Sequence, residues 1–345
     1  MAGWCSPDVN SSARAARAAT IRKFVDMADH LEDLVRLGTL TRSAAQFLAA
    51  SVVRRPQHSG GRRNAGGQGP GTFLSGGARL GLPSLHRCRS RVTYLDPMAD
   101  GSGIEWTEAT WNPTTGCDRV SPGCDNCYAL TLSKRLKAMG NPKYQEDGDP
   151  RTSGPGFAIT QHPSALDIPR RWSAPRLIFV NSMSDLFHAR VESSFIRDVF
   201  QVMEETPQHT YQLLTKRSRR AARMAAELPW PSNVWLGVSV ETTDQLCRLD
   251  DLRRVPAATR FVSAEPLLDS LAGIDLTGMH WLIAGGESGP NHRPLDPEWV
   301  RELRDACRRQ GIAFFFKQWG GRTPKSNGRE LDGRLWDEMP VATQA

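Results

Sequence analysis

The sequence predicts an α/β protein, a partial or complete (β/α) barrel of parallel strands, preceded by a largely disordered N-terminal extension. Three observations predict it. After Met98, short apolar runs rich in β-branched and aromatic residues alternate with amphipathic helical stretches. Each apolar run is followed at once by polar, chemically capable residues, as at the C-terminal rim of such barrels. A Gly/Arg-rich tract from Pro56 to Arg91 separates this regular part from the residues before it.

The strands are expected at Arg176–Asn181, Tyr211–Thr215, Val234–Val240, Arg260–Ala264, Trp281–Ala284 and Ile312–Lys317, with a first strand near Thr107–Trp111. Their nearly unbroken hydrophobicity suits strands buried on both faces, the signature of a parallel sheet. Helices are expected at Ser193–Glu205, Ser218–Leu228 and Asp296–Gln310. The first carries Phe195, Val199, Val202 and Met203 on one face and stops before Pro207. The second opens on a capping serine. The third has a capping Asp296, Pro297 in its first turn and Gly311 just past its end.

Two parts are expected, 1–97 and 98–345. The net charge of +7 belongs to the first: residues 1–97 hold 14 Lys/Arg against 6 Asp/Glu, and the rest hold 30 against 31. A basic pI therefore says nothing about partners of the barrel. Ser11 to Val53 has helical composition, and the Gly/Arg-rich tract after it buries too little apolar surface to offset its ordering entropy. Ile21–Val53 resembles the segment ahead of the phosphate loop in secretion-type ATPases, but no GxxxxGK[ST] follows. A flexible arm and a piece not native to the protein both remain open for residues 1–97. No apolar run is long enough for a membrane span, and no signal peptide is evident, so the expected compartment is the cytoplasm.

Three of the seven cysteines, Cys117, Cys124 and Cys127, fall within eleven residues as C-x6-C-x2-C. In a reducing compartment such crowding reads as metal binding. Three sulfurs without a fourth favour an iron–sulfur cluster over zinc, since a structural zinc site is closed by four ligands. Cys307 shares a helix face with Val300 and Leu303 and is expected in the core. Cys247 is expected to pack beside Leu246.

The rim residues supply the other candidates. Asn181, Ser184, Asp185 and His188 follow one strand, and Lys216 and Arg217 follow the next. Glu241 and Glu265 follow two more, Gly285, Gly286 and Glu287 a fifth, and Gln318 a sixth. In a parallel barrel all of them face one mouth. Lys216, Arg217, Arg219, Arg220 and Arg223 form either a phosphate-contacting stripe or a solvated helix face.

IEWTEATWNPTTGCDRVSPGCDNCYA, RLIFVNSMSDLFH, YQLLTKR, NVWLGVSVE, FVSAEPLL, WLIAGGESGP and FFFKQWG resemble the phage gene-product 37 / gene-product 68 family, three-Cys-motif proteins of no established reaction. The likeness runs from about Ile104 to Pro340. That family in turn is similar to radical S-adenosylmethionine enzymes. The resemblance implies a radical-SAM-like partial barrel whose three cysteines hold a [4Fe–4S] cluster in the loop after the first strand, ahead of a helix at Tyr128–Met139. It also implies S-adenosylmethionine at the fourth iron, with Gly285-Gly286-Glu287 resembling the segment that grips its amino group.

The reading that follows is an iron–sulfur enzyme of unknown substrate. Its catalytic candidates are Glu241, Glu265, Lys216 and Asp185, and its cofactor-binding candidates are Gly285, Gly286, Glu287, Asn181 and Ser184. Nucleic acid, or a protein partner encoded nearby, is the partner considered. The rival is a zinc- or cluster-stabilised nucleic-acid-binding protein without catalysis, which acidic groups in the mouth would disfavour. A metal-dependent hydrolase is disfavoured by the absence of HExxH.

Overall fold

The computed structural model describes residues 104–340. The helical stretch and Gly/Arg-rich tract expected before Met98 lie outside the described residues.

Strand β1 spans Ala109–Trp111, and a short antiparallel pair follows, β2 (Thr114–Thr115) with β3 (Thr160–Gln161). Then come β4 (Leu177–Val180), β5 (Thr210–Thr215), β6 (Val234–Ser239), β7 (Thr259–Ala264), β8 (Trp281–Gly285) and β9 (Ala313–Gln318). Strand β1 and strands β4 to β9 form one sheet in chain order, with every neighbour parallel. The helices are α1 (Tyr128–Ala138), α2 (Ser193–Glu205), α3 (Ser218–Met224), α4 (Cys247–Arg253) and α5 (Pro297–Gln310). Between β7 and β8 the crossover is a loop, tied down where Leu267 N–H meets Gly285 O and Leu268 N–H meets Glu241 O.

In a parallel sheet of sequential order, right-handed crossovers put the connecting helices on one face, and α2, α3, α4 and α5 share one core with the strands. The other face must then be covered by the sheet's own curl. Trp106 shows that it is: its ring centroid lies 4.8 Å from that of Phe179 on β4 and 6.0 Å from that of Trp281 on β8. In a flat sheet those two strands would stand roughly 19 Å apart, four spacings of ~4.8 Å. The sheet is a partial barrel. Its inner face is an aromatic floor of Trp106, Phe179, Trp235, Phe261, Trp281 and Phe315.

The outer residues of the strands pack on the helices in the larger core. Helix α2 buries Phe195, Ile196, Val199, Phe200, Val202 and Met203, the i, i+3, i+4 stripe expected of it. Each such side chain stabilises the fold by about 1.5–3 kcal/mol on burial. In α5 the Asp296 side chain accepts from Glu298 N–H, and Gly311 ends the helix in the left-handed region at φ 69°.

The six expected strands lie within one residue of their observed ends. Strand β9 runs one residue later than expected because a bulge at Ala284/Gly285 skips Lys317 and pairs Gly285 with Gln318. Two expectations are corrected. Ser218 is the first residue of α3 and not its cap; its hydroxyl donates to Asp251 at 2.7 Å. That helix stops at Met224, and a 3-10 turn at Ala225–Glu227 completes the stretch. Cys247 is exposed, because α4 turns Arg248, Leu249 and Leu252 inward instead. Cys307 is buried in the core, as its helix face implied.

Candidate metal centre

The cysteine loop leaves the sheet just after β1. Its direction is set at Gly116, which has φ 85° and whose Cβ would fall 1.9 Å from Ala158 O. No side chain fits there. Gly116 N–H donates to Met183 O at 3.0 Å, tying the loop to the segment after β4. Ser121 leads into a 3-10 turn at Pro122–Cys124, which bends the chain between the first two cysteines. Cys127 is the N-cap residue of α1.

The rest of the loop is held at three points by side chains from the strand ends. The first is Glu241, just past β6 and fully buried. It accepts from Ser121 Oγ at 2.9 Å, Lys216 Nζ at 2.8 Å and Arg248 Nη1 at 2.9 Å. A Cβ on Gly123 would sit 2.5 Å from Glu241 Cγ, so the loop rests directly on this carboxylate. Burial works to raise the Glu241 carboxyl, but Lys216 and Arg248 outweigh it and hold the group below the ordinary value.

The second point is Glu287, two residues past β8. Its Oε2 accepts from Asn126 Nδ2, Arg293 N and Arg293 Nε at 2.9, 2.9 and 3.0 Å, and its Oε1 accepts from Arg293 Nη2 at 2.5 Å. Arg293 also donates to Pro122 O at 2.8 Å. Both oxygens are therefore occupied by contacts that pin the stretch between Pro122 and Cys127. Here too burial raises the carboxyl, and Arg293 with Asn126 brings it below the ordinary value.

Arg217, just past β5, makes the third point. It donates to Cys117 Sγ at 3.4 Å, to Asp118 O at 3.0 Å and to Asp185 Oδ2 at 3.2 Å. Asp185 is buried and also accepts from Thr215 Oγ1, Phe187 N–H and Lys216 N–H. Beside it, Asp118 accepts from Thr152 Oγ1 at 2.7 Å, Arg190 Nη2 at 2.6 Å and His188 Nε2 at 3.0 Å. His188 Nδ1 accepts from Arg190 N–H, so the ring proton lies on Nε2 and points at Asp118. Burial, then Arg217, lowers the His188 pKa.

The remaining candidates complete the rim. Ser184 Oγ lies 2.8 Å from both Thr114 Oγ1 and Thr114 O. Asn181 sits in the left-handed region at φ 63°, where Asn is favoured among non-glycine residues. Its Oδ1 accepts from Thr114 N–H, while its buried Nδ2 has no partner among the described residues. Glu265 Oε1 pairs with Lys317 Nζ at 2.9 Å, and its Oε2 makes no hydrogen bond among the described residues. Gly285 and Gly286 have packing reasons: their Cβ atoms would lie 2.8 Å from Glu265 Oε1 and 2.1 Å from Trp319 O.

The structure thus gathers most of the sequence candidates around the cysteine loop. It changes the electrostatic expectation, because Glu241, Glu265 and Glu287 each face a cation and do not make an acidic mouth. Lys216, Arg217 and Arg220 are engaged internally, which leaves Arg219 and Arg223 as the exposed members of the basic stripe. Sequence reasoning missed Ser121, Asn126, Arg248, Arg293 and Lys317. Only Asn126 carried a signal, its place between two cysteines.

All three loop cysteines are free thiols. Burial pushes Cys117 up to about 12 despite Arg217, and it also raises Cys127. Both shifts favour the protonated thiol at Cys117 and Cys127; a metal would draw the loop's sulfurs into thiolates. Among the described residues, no three His, Cys, Asp or Glu side chains are gathered closely enough for a single ion. Zinc would need its sulfurs roughly 3.8 Å apart, each ~2.3 Å from one ion. A cubane gives each thiolate its own iron and asks for wider spacing. Cys117, Cys124 and Cys127 supply three soft sulfur donors on one anchored loop.

Fold and site define a three-cysteine, parallel α/β partial-barrel protein. The chain belongs to the family described as "Protein of unknown function (DUF5131)", which it matches over residues 101–340. A comparison with curated proteins finds no match. Among solved structures it is similar to spore photoproduct lyase complexed with dinucleoside spore photoproduct, at 14% identity and a TM-score of 0.40, covering 67% of this chain and 80% of that one. A double mutant of that lyase with bound AdoMet and dinucleoside spore photoproduct matches at 15% identity and a TM-score of 0.38, covering 65% and 78%. Among the described residues, no helix is long and apolar enough to cross a membrane.

Proposed function

We propose that the chain is a radical S-adenosylmethionine-like iron–sulfur enzyme, with Cys117, Cys124 and Cys127 as the ligands of a [4Fe–4S] cluster. The observation that carries this reading is the anchoring of three free thiols over the C-terminal rim by Arg217, Glu241 and Glu287, each just past a parallel strand. When bound, such a cluster supplies one electron to S-adenosylmethionine at the iron that lacks a protein sulfur.

The chain's own residues divide the remaining work. Glu241 and Glu287 fix the loop, and their filled hydrogen-bonding capacity assigns them to positioning. Glu265, whose Oε2 makes no hydrogen bond among the described residues, is the rim carboxylate able to accept from a ligand's ammonium or hydroxyl group. The aromatic floor closes the barrel beneath the rim and excludes water from that end.

Anaerobic reconstitution with iron and sulfide tests the assignment. Four irons and four sulfides per chain are expected, with a reduced paramagnetic signal that changes on adding S-adenosylmethionine. Stoichiometric zinc without iron would sink it. A nucleic-acid substrate, and the phage association implied by the sequence resemblance, are finer parts of the same reading. Exposed Arg219 and Arg223 support the nucleic-acid part. Binding to an oligonucleotide should weaken as salt rises, and no binding at low salt would remove it.

A further inference from the structure

We infer that Arg217 is a tuning and positioning residue for the cluster, acting through a hydrogen bond to the sulfur of Cys117. The inference rests on the iron–sulfur reading above and deepens it. The three thiols are not equivalent. Cys117 Sγ receives a guanidinium N–H from Arg217 at 3.4 Å. Among the described residues, Cys124 Sγ has only the Ser121 hydroxyl, at 3.9 Å.

Arg217 is fixed in place. Its side chain is 13% exposed, its Nη1 is shared with Asp185 Oδ2, and its Nη2 holds Asp118 O. Asp185 is itself locked by Thr215 Oγ1 and the backbone N–H of Phe187 and Lys216. A planar fork held at both ends cannot swing away when charge develops on the sulfur. Lysine could satisfy one of these partners but not all three.

Electrons added to an iron–sulfur cluster raise the negative charge on its sulfurs. A donor and a positive charge at one sulfur therefore stabilise the reduced form and raise the potential. Removing both makes reduction harder.

The test is a potentiometric titration of the reduced cluster's paramagnetic signal in wild type, Arg217→Gln and Arg217→Lys, on the full chain reconstituted anaerobically. Arg217→Gln should disfavour reduction at least tenfold, which for one electron is a shift of about 59 mV to more negative potential. Arg217→Lys should recover part of the shift through its charge. An unchanged potential in a fully loaded Arg217→Gln protein would overturn the inference and leave the cluster assignment standing. Should that variant fail to load, wild-type protein labelled with 15N-arginine decides: a weak nitrogen coupling to the reduced cluster is expected, and its absence overturns the inference. If wild type holds no cluster at all, the assignment under Proposed function fails, and this inference falls with it.

Discussion

The Ser121 hydroxyl donates to the Glu241 carboxylate at 2.9 Å, across 120 residues of chain. That contact places the middle of the cysteine loop on the end of β6. Lys216 and Arg248 meet the same carboxylate, so one buried group joins the loop, the end of β5 and helix α4. Glu241 works as a keystone for the rim.

Replacing Glu241 with Gln should leave Lys216 and Arg248 without their charge partner. Breaking a buried pair in this way costs about 3–5 kcal/mol. A drop of several degrees in the calorimetric melting temperature is expected, together with reduced iron loading. Gly123→Ala should act in the same direction, because its Cβ would lie 2.5 Å from Glu241 Cγ. Wild-type melting in Glu241→Gln would show that the keystone carries no weight.

Glu287 and Glu265 should separate in their effects, although sequence alone places both at the rim, Glu265 as a catalytic and Glu287 as a cofactor-binding candidate. Glu287 has both oxygens filled by Arg293 and Asn126, so Glu287→Gln should lower stability. Among the described residues Glu265 has one ion pair, through Oε1, and no hydrogen bond on Oε2, so Glu265→Gln should melt near wild type and weaken ligand binding. Calorimetry alongside S-adenosylmethionine titration checks the pair. The reverse pattern would exchange their roles.

The strands were legible because they are largely buried on both faces and read as nearly unbroken apolar runs, bounded by turn residues. Val234–Ser239 is buried at every position, which is why its ends could be placed to within a residue. The rim could be read as one mouth because parallel order forces it. The anchoring contacts could not be read. Ser121–Glu241 and Asn126–Glu287 join residues far apart in sequence, and neither polar type nor local spacing reports such pairings. The same limit explains Cys247: a seven-residue helix carries too little periodicity to say which face turns inward.

Acid should weaken the Asp118 cluster. Burial works to raise Asp118, but its bonds from Thr152, Arg190 and His188 hold it down at about 2, against an ordinary 3.8. A carboxylate lowered in the folded state contributes stability that is fully present above its unfolded pKa. That contribution disappears as pH falls from about 3.8 through about 2. Asp118→Asn should flatten this part of the stability–pH curve, measured by denaturant unfolding. An unchanged slope would place the acid sensitivity elsewhere.

A chain shortened to begin at Met98 should be soluble and melt cooperatively. The family match begins at residue 101, and residues 1–97 hold the whole charge imbalance of the sequence. Aggregation of the shortened chain, with the full chain remaining folded, would move the boundary toward the N-terminus.

The cysteine series should divide by place in the fold. Cys117→Ala, Cys124→Ala and Cys127→Ala each remove one thiol from the anchored loop, so each should abolish or cripple cluster loading. The melting temperature of the metal-free protein should change little in Cys124→Ala and Cys127→Ala, because Glu241 and Glu287 hold the loop through Ser121 and Asn126, and should fall further in Cys117→Ala, whose sulfur accepts from Arg217. Cys247→Ala changes an exposed position and should alter neither loading nor melting. Cys307→Ala removes a buried side chain from α5 and leaves a small cavity, so it should lower stability by about 1 kcal/mol with loading intact. Iron content, the blue-end absorption of the anaerobic protein and calorimetry read all five variants together. Full loading in any loop variant would remove that cysteine from the ligand set, and loss of loading in Cys247→Ala would bring an unexpected fourth sulfur into it.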